Sequence, residues 1–334
     1  MGQKATLPTS PQSQKGEVLT AFAGSRQTID ANDLTLVADI AAAGSLTSAA
    51  RLAGLTQPAL TRKLQRIEQV LGVALFSRSM RGVKPTLYGA ALLPRARTIH
   101  AQRDQAMQGL AQLRGQREGS VTISISHLAT IALLPAVIRQ FRSEWPDVLV
   151  TIEAPAFPDR FAGLREGRPD FAVVPRPSEP LANDFVATPL HSTTVVAIAR
   201  RGHALAGAQT LSALVGAQWV LPSLRSTSAN ALRAVFARAR LAPPHVAVSC
   251  ETLTGLEALV SDSDLLGIVP LEVQRQRASA SGLVALPLHV QIEGPSLALI
   301  RWRDAQPTPA AARLAELFVR VARQRFARRA ASTP

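Results

Sequence analysis

Apolar positions recur at helical spacing near the start of the chain. Leu34, Val37, Ala38 and Ala41 follow the i, i+3, i+4, i+7 pattern of one buried helix face. They predict a first helix over residues 34–43, with Asp33 as its N-cap and Gly44 as its terminator. Ser45 caps a second helix to about Ala53, closed by Gly54. Leu55 is the apolar residue of the turn, and Thr56 caps a third helix. Pro58 is tolerated in its first turn, where an N–H has no intrahelical partner. Leu60, Leu64, Ile67 and Leu71 give this helix a core face, and Gln57, Thr61, Arg62, Lys63 and Arg66 occupy the other. Two short helices joined by a glycine-containing turn form a helix-turn-helix pattern. Residues 75–86, LFSRSMRGVKPT, read as a basic hairpin with Gly82 at its tip.

A long helical stretch runs from Thr86 to about Gln116. Leu92, Ala96, Ile99, Arg103, Ala106, Leu110 and Leu113 recur at alternating spacings of four and three, a heptad seam that predicts pairing of two helices. Packing of a lone helix on its own domain is the competing account. Pro94 and Arg103 interrupt the seam and predict a kink or local defect. Residues 115–120 read as a hinge. From Val121 onward strands and helices alternate: VTISIS as a strand, 130–141 as a helix, VLVTIE as a strand, 157–166 as a helix, then DFAVV as a strand. VVAIA, QWVL, VAVSC, GIVP and LALIRW are later strands, and an arginine-rich helix closes the chain. Such alternation predicts parallel sheets with helices on both faces, and ligands at the carboxyl ends of strands.

Charge placement narrows the function. The net charge is +14. Residues 31–118 hold 12 basic and 5 acidic groups, residues 119–300 hold 14 of each, and residues 301–334 hold 8 and 2. Basic ends around a neutral middle are the footprint of a polyanion binder, although solvated surface arginines would give the same count. Several classes recede. No run of 18 or more apolar residues suggests a membrane span, and residues 1–30 form a polar tail without a secretory h-region, which places the chain in the cytoplasm. The opening Met-Gly matches a myristoylation pattern only briefly, and a disordered tail is expected instead. Cys250 is the one cysteine; it forms no internal disulfide or thiol pair and is expected to be buried in the strand VAVSC. The histidines at 100, 127, 191, 203, 245 and 289 lack metal-ligand spacing. With no P-loop, G-x-S-x-G or G-x-G-x-x-G present, neither an enzyme nor a bound cofactor or metal is expected.

The run GSLTSAARLAGLTQPALTRKLQRIEQVLGVALFSRSMRGVKPTLYGAALLPRAR, residues 44–97, resembles the LysR-type transcriptional regulators, and the likeness extends over about residues 31–330. It carries that family's small-residue second helix, Gln-Pro at the start of the recognition helix, the Leu-Gly-Val-x-Leu-Phe-x-Arg entry to the wing and the Thr-x-x-Gly start of the linker helix. Thr56, Thr61, Leu46 and Leu87 depart from its commoner residues. The resemblance implies an α plus α/β architecture: an N-terminal winged helix-turn-helix over 31–86, a linker dimerisation helix over 87–118, and an effector-binding domain over 119–334. That last domain would be like a periplasmic binding protein, with subdomain I at 119–193 and 292–334 and subdomain II at 194–291. It implies a homodimer or homotetramer that binds an interrupted palindrome in double-stranded DNA and responds to a small effector, with RNA polymerase as a further candidate partner and no membrane partner. A transport receptor shares the effector architecture but would lack the basic helix-turn-helix.

Site residues follow from the same match. Thr47, Thr56, Gln57, Pro58, Thr61, Arg62 and Arg66 would face DNA, with Arg62 either reading guanine or clamping a phosphate. Arg78, Arg81 and Lys84 of the wing would touch backbone or minor groove. Leu92, Ala96, Ile99, Leu110 and Leu113 would pair two chains. Ser126, His127, Leu128 and Thr130 would form one effector wall, and Ser223, Arg225, Ser226 and Thr227 the other. Hydroxyls at helix N-termini with His127 and Arg225 nearby fit an anion, such as a carboxylate. The same second segment also fits a plain polar helix cap. Pro175 stands at a pocket position where the family sometimes has a hydroxyl. The arginine-rich end, Arg320 to Arg329, is expected to be mainly a solvated helix face.

Overall fold

The computed structural model describes residues 28–79, 82–155, 161–177, 180–224 and 226–330. The chain divides into two compact units, Met1–Arg103 and Asp104–Pro334.

In the first unit, α1 (Ala31–Ala43), α2 (Leu46–Leu52) and α3 (Gln57–Leu71) are followed by strands β1 (Phe76–Ser79) and β2 (Gly82–Pro85). The expected start of α1 is corrected. Asp30, not Asp33, is the N-cap, and Asp33 sits three residues on as the return half of a capping box. Leu36 and Ile40 join Val37 and Ala38 in the core, while Leu34 and Ala41 are only half-buried. Gly44 ends α1 in the left-handed region, Ser45 caps α2, and Thr56 caps α3. Leu60, Leu64 and Ile67 close the core from α3.

The antiparallel hairpin pairs Phe76 with Pro85 and Ser79 with Gly82. Gly82 therefore opens β2 and is not the tip; Met80 and Arg81, between the strands, lie outside the described residues. Glycine is needed at 82 for two reasons: its φ is +111°, and a Cβ there would lie 2.5 Å from the Gly44 carbonyl oxygen. That same oxygen accepts the Val83 N–H at 2.9 Å, seating the hairpin on the α1–α2 corner.

Helix α4 (Leu87–Leu113) continues through Pro94. Thr86 joins it to the hairpin: its hydroxyl donates to the Ala74 carbonyl at 2.7 Å and accepts the Gly89 N–H at 3.2 Å. The seam splits in character. Ala96 is fully buried within the chain and Leu92 packs on the first unit's core, so these two are not free pairing positions as expected. Leu110 and Leu113 are exposed, as is Met107 beside them.

The second unit holds β3 (Glu118–Ile125), α5 (His127–Ala132), α6 (Leu134–Glu144), β4 (Asp147–Glu153), α7 (Ala162–Arg165), β5 (Phe171–Pro175), β6 (Phe185–Arg200), β7 (Gln218–Leu221), α8 (Thr227–Arg238), β8 (His245–Ser249), α9 (Leu253–Ser261), β9 (Leu266–Pro270), α10 (Leu271–Ser281), β10 (Leu283–Ala285), β11 (Ile292–Trp302) and α11 (Pro309–Ala330). Two parallel trios, β4-β3-β5 and β9-β7-β8, are joined by the antiparallel strands β11 and β6, and β10 adds to β6. The sheet is thus mixed, not wholly parallel. Its register shifts between Glu293 and Ser296, where Gly294 and Pro295 interrupt β11. One core packs Ile123, Phe141, Val173, Leu299 and Phe318, and a second packs Trp219, Leu221, Leu232, Phe236 and Ile268.

Further expectations are corrected here. The helix expected over 130–141 is two helices broken at Leu133, because Pro135 at the start of α6 cannot donate into a continuing ladder. Of the helix expected over 157–166 only Ala162–Arg165 is helical among the described residues. Residues 118–120 are no hinge but part of β3: Gln108 Oε1 accepts the Ser120 N–H at 3.0 Å, and Gln112 donates to the Glu118 carbonyl at 3.0 Å while accepting the Ala310 N–H at 3.0 Å. Strand β8 is half-exposed and Cys250 follows it, partly open to solvent. Arg320 and Arg325 are tied down, to the Gln140 side chain and the Ala132 carbonyl, and are not simply solvated.

Gly89 carries a test of how α4 is seated. A Cβ there would lie 2.1 Å from the Leu75 carbonyl oxygen. Gly89→Ala is expected to destabilise the first unit by about 1–3 kcal/mol through overpacking. Calorimetry of the full chain should show one transition lowered and the second unit's transition unmoved; an unchanged profile would mean that α4 can shift away freely.

Candidate functional site

The amino-terminal end of α3 presents an open polar surface. Thr56 accepts the Ala59 N–H, which fixes the helix start. Gln57, Pro58, Arg62 and Lys63 are exposed, Thr61 is half-buried on the same face, and Thr47 is exposed at the start of α2. Arg62 and Lys63 have no ion-pair partner among the described residues. Arg66 behaves otherwise: its guanidinium is paired with the buried carboxylate of Asp33 on α1. This pair clamps α3 to α1, because a charge committed to a buried partner is costly to withdraw, while the Arg66 side chain stays 42% exposed on the side expected to face DNA.

The wing is set by a residue the sequence reading passed over. Glu68 Oε1 accepts the Leu75 N–H at 2.7 Å and the Phe76 N–H at 3.2 Å, tying the hairpin's first strand to α3. Its signal was a lone carboxylate on a basic helix, which spacing alone does not pair with a strand. Arg78 and Lys84 are exposed on β1 and β2; Arg81 lies outside the described residues.

In the second unit, β3 and β7 are the central strands of the two parallel trios. Beyond β3, Ser126 donates its N–H to the Val173 carbonyl at 3.0 Å and precedes α5. Its hydroxyl caps nothing, and the Oγ atoms of both Ser126 and Ser124 are buried without a hydrogen-bond partner among the described residues. Thr130 donates to the Ser126 carbonyl at 3.0 Å, and His127 is exposed. Leu128 is 5% exposed and belongs to the core, so its expected place in the wall is corrected. Beyond β7, Ser226 accepts the Ala229 N–H at 3.1 Å and donates to the Ser223 carbonyl at 2.9 Å, which makes its hydroxyl a helix cap. Thr227 is half-buried, and Arg225 lies outside the described residues.

The two halves of this unit meet at a cluster that the sequence did not signal. His191 Nε2 of β6 lies 3.0 Å from Glu272 Oε1 of α10, and the imidazole stacks on the Phe326 ring of α11 at 3.6 Å between centroids. The other Glu272 oxygen is buried without a partner among the described residues. Among those residues no His, Cys, Asp and Glu side chains group to hold a metal, and no helix is long and apolar enough to cross a membrane.

Known proteins agree with this division. Residues 31–90 match the bacterial regulatory helix-turn-helix protein, lysR family, and residues 114–323 match the LysR substrate binding domain. The HTH-type transcriptional regulator GalR of Pseudomonas putida is 30% identical over 267 residues, covering 79% of this chain and 67% of that protein. TdcA of Escherichia coli is 24% identical, covering 85% and 90%. Among solved structures, CbnR, a LysR family transcriptional regulator, aligns with TM-score 0.64 at 22% identity over 88% of this chain and 99% of that one. A full-length CbnR complexed with its target DNA aligns with TM-score 0.65, also at 22% identity, over 88% and 100%. These relatives are regulators and not enzymes. This chain belongs to the LysR family: it is a DNA-binding transcriptional regulator with an effector-binding domain.

Proposed function

We propose that this regulator reads an interrupted palindrome through paired copies of α3 and changes its DNA binding when a small anion enters between the two halves of its second unit. The exposed start of α3 carries the first part of this reading. Gln57, Pro58, Thr61 and Arg62 would meet base edges in the major groove, with Thr47 and Thr56 flanking them and Arg78, Arg81 and Lys84 on the backbone. Arg62→Ala is expected to lose about 1–3 kcal/mol of discrimination at one base position. Titration against a panel of mutated operators checks it; an equal loss on every sequence would leave Arg62 only a phosphate role.

Pairing would use the far end of α4. Met107, Leu110 and Leu113 present apolar side chains to solvent, and Ile99 is half-buried. Solvated side chains of this size on one helix are best explained by a second copy of the chain, giving a dimer or tetramer. Leu110→Glu should lower the sedimenting mass and weaken operator binding by tenfold or more, about 1.4 kcal/mol. A variant that sediments like the parent would place the dimer contact elsewhere.

The effector reading rests on Ser126. A buried hydroxyl without a partner costs free energy, and here it stands at the carboxyl end of a central parallel strand, where such sheets bind ligands. Thr130 and His127 on this side, and Ser223, Arg225, Ser226 and Thr227 on the other, would complete a cleft for a small carboxylate. A thermal-shift screen of small carboxylates on the full chain identifies the effector. Ser126→Ala should then abolish that shift while leaving effector-free stability equal or slightly higher, since it removes an unsatisfied group. A variant that shifts like the parent would move the sensing site away from Ser126.

A further inference from the structure

A second concave site lies beside α11, built from elements other than the two strand ends described above. It is a groove open to solvent, with a volume of about 920 Å³. Phe171, Thr188 and Leu299 line it from β5, β6 and β11, and Ala312, Ala315 and Val319 line it from α11. The helix positions are spaced three and four apart, so they present one small, apolar stripe. The volume is within the range of about 300–1,000 Å³ usual for metabolite-sized ligands.

Four guanidinium groups surround that apolar floor: Arg301 and Arg303 at the end of β11, and Arg320 and Arg323 on α11. Two carboxylates also line it. Asp170 is hydrogen-bonded within the fold, accepting the Thr122 N–H at 2.8 Å and the Gln105 side chain at 3.1 Å, and Glu316, 67% exposed, makes a surface pair with Arg313 at 3.1 Å. None of the four arginines forms a salt bridge among the described residues, although Arg320 lies in the field of Glu144 and Arg303 in that of Asp184. Arg303 donates to the Asn183 carbonyl at 2.7 Å and Arg320 to the Gln140 side chain at 3.0 Å. Arg323 makes no ion pair or hydrogen bond among the described residues. Each guanidinium has five donors, so most remain available for an oxyanion.

We propose that this groove binds a metabolite-sized organic oxyanion with an apolar body, at a site separate from the one at Ser126. The arginine rim takes the charge, and the alanine and valine stripe takes the body. A DNA phosphate would satisfy the rim alone and has no use for a recessed apolar floor. An acidic partner protein would need protruding contacts, whereas the small residues of α11 leave a hollow.

Phenyl phosphate serves as the probe, with inorganic phosphate as its apolar-free control, titrated calorimetrically into the full-length protein. The expected result is saturable binding of phenyl phosphate at one such site per chain, with inorganic phosphate weaker by about tenfold. Arg323→Ala and Arg301→Ala should each weaken phenyl phosphate by about tenfold, Ala315→Leu should block it by filling the floor, and Ser126→Ala should leave it unchanged. Arg323 is exposed, so its replacement is not expected to disturb folding; Ala315→Leu tests the site without altering charge. The proposal is overturned if phenyl phosphate does not saturate, if its binding ignores both arginine changes and Ala315→Leu, or if it is lost with Ser126→Ala. It is equally overturned if Arg323→Ala weakens operator binding while phenyl phosphate binds as before, which would make the rim a DNA contact.

Discussion

The antiparallel pairing of β6 with β11 holds both halves of the effector-binding domain in one sheet. Strand β6 runs 16 residues and β11 eleven, and their ladder extends from Phe185–Trp302 to Val195–Ile292. Along its first half β11 separates β6 from the β4-β3-β5 trio, and along its second half β6 leads into β9, β7 and β8. The ladder breaks where it must. Pro295 has no N–H to give, and its carbonyl instead accepts the Thr193 hydroxyl at 2.9 Å. A Cβ on Gly294 would lie 2.3 Å from that same hydroxyl. A register shift of this kind bends and twists a strand without ending the sheet. His191, within this ladder, also contacts Glu272 of α10.

The DNA-binding unit depends on fewer polar ties, but each is placed where movement would matter. Asp33 takes part in the cap of α1 and receives Arg66 from α3, while Glu68, two residues further along α3, holds the start of the wing. Both carboxylates are spent on orientation. The helix end that carries Gln57 and Arg62 is thereby fixed relative to α1 and the hairpin, and its own side chains stay open. This division of labour along one helix explains why a run of five similar basic and polar residues does not act as one face: Arg66 is paired with Asp33, and Arg62, a turn earlier, has no ion-pair partner among the described residues.

Much of the first unit was legible because its signals are local. Ser45, Gly54, Thr56 and Pro58 each specify a helix start or stop through their own backbone chemistry, and all fall where they were expected. The start of α1 was misplaced because Asp30 and Asp33 are both good caps, and only the reciprocal hydrogen bonds decide between them. The buried face was misread separately: apolar residues at 34, 36, 37, 38, 40 and 41 fit more than one face, and packing selects Leu36 and Ile40 over Leu34 and Ala41. The heptad seam misled in its first half because periodicity shows that Leu92 and Ala96 are buried, not what buries them. In the second unit the strands read well, yet their order did not, since no pattern in the chain says that β6 and β11 run against the parallel trios. Ser126 was found through its place after a strand; that its hydroxyl is left without a partner is a fact of packing. The groove beside α11 joins residues more than a hundred positions apart, and the arginines at its rim looked like ordinary solvated charge.

The end of α4 is tied directly to the effector-binding domain. Gln108 and Gln112 lock the helix to β3 through backbone groups at Ser120 and Glu118, and Gln112 reaches on to the start of α11 at Ala310. Gln105, one turn earlier, donates to the Gly167 carbonyl at 3.2 Å and to Asp170. Burial pushes the Asp170 carboxyl above its ordinary range, and hydrogen bonds from the Thr122 N–H and Gln105 oppose that shift. These are directional ties to strand β3 and to the residue before β5, the two strands whose far ends approach Ser126. A ligand regulates only if it favours one arrangement of such ties over another. Three glutamines in successive turns thus tie α4 to the strands beside Ser126 through directional hydrogen bonds.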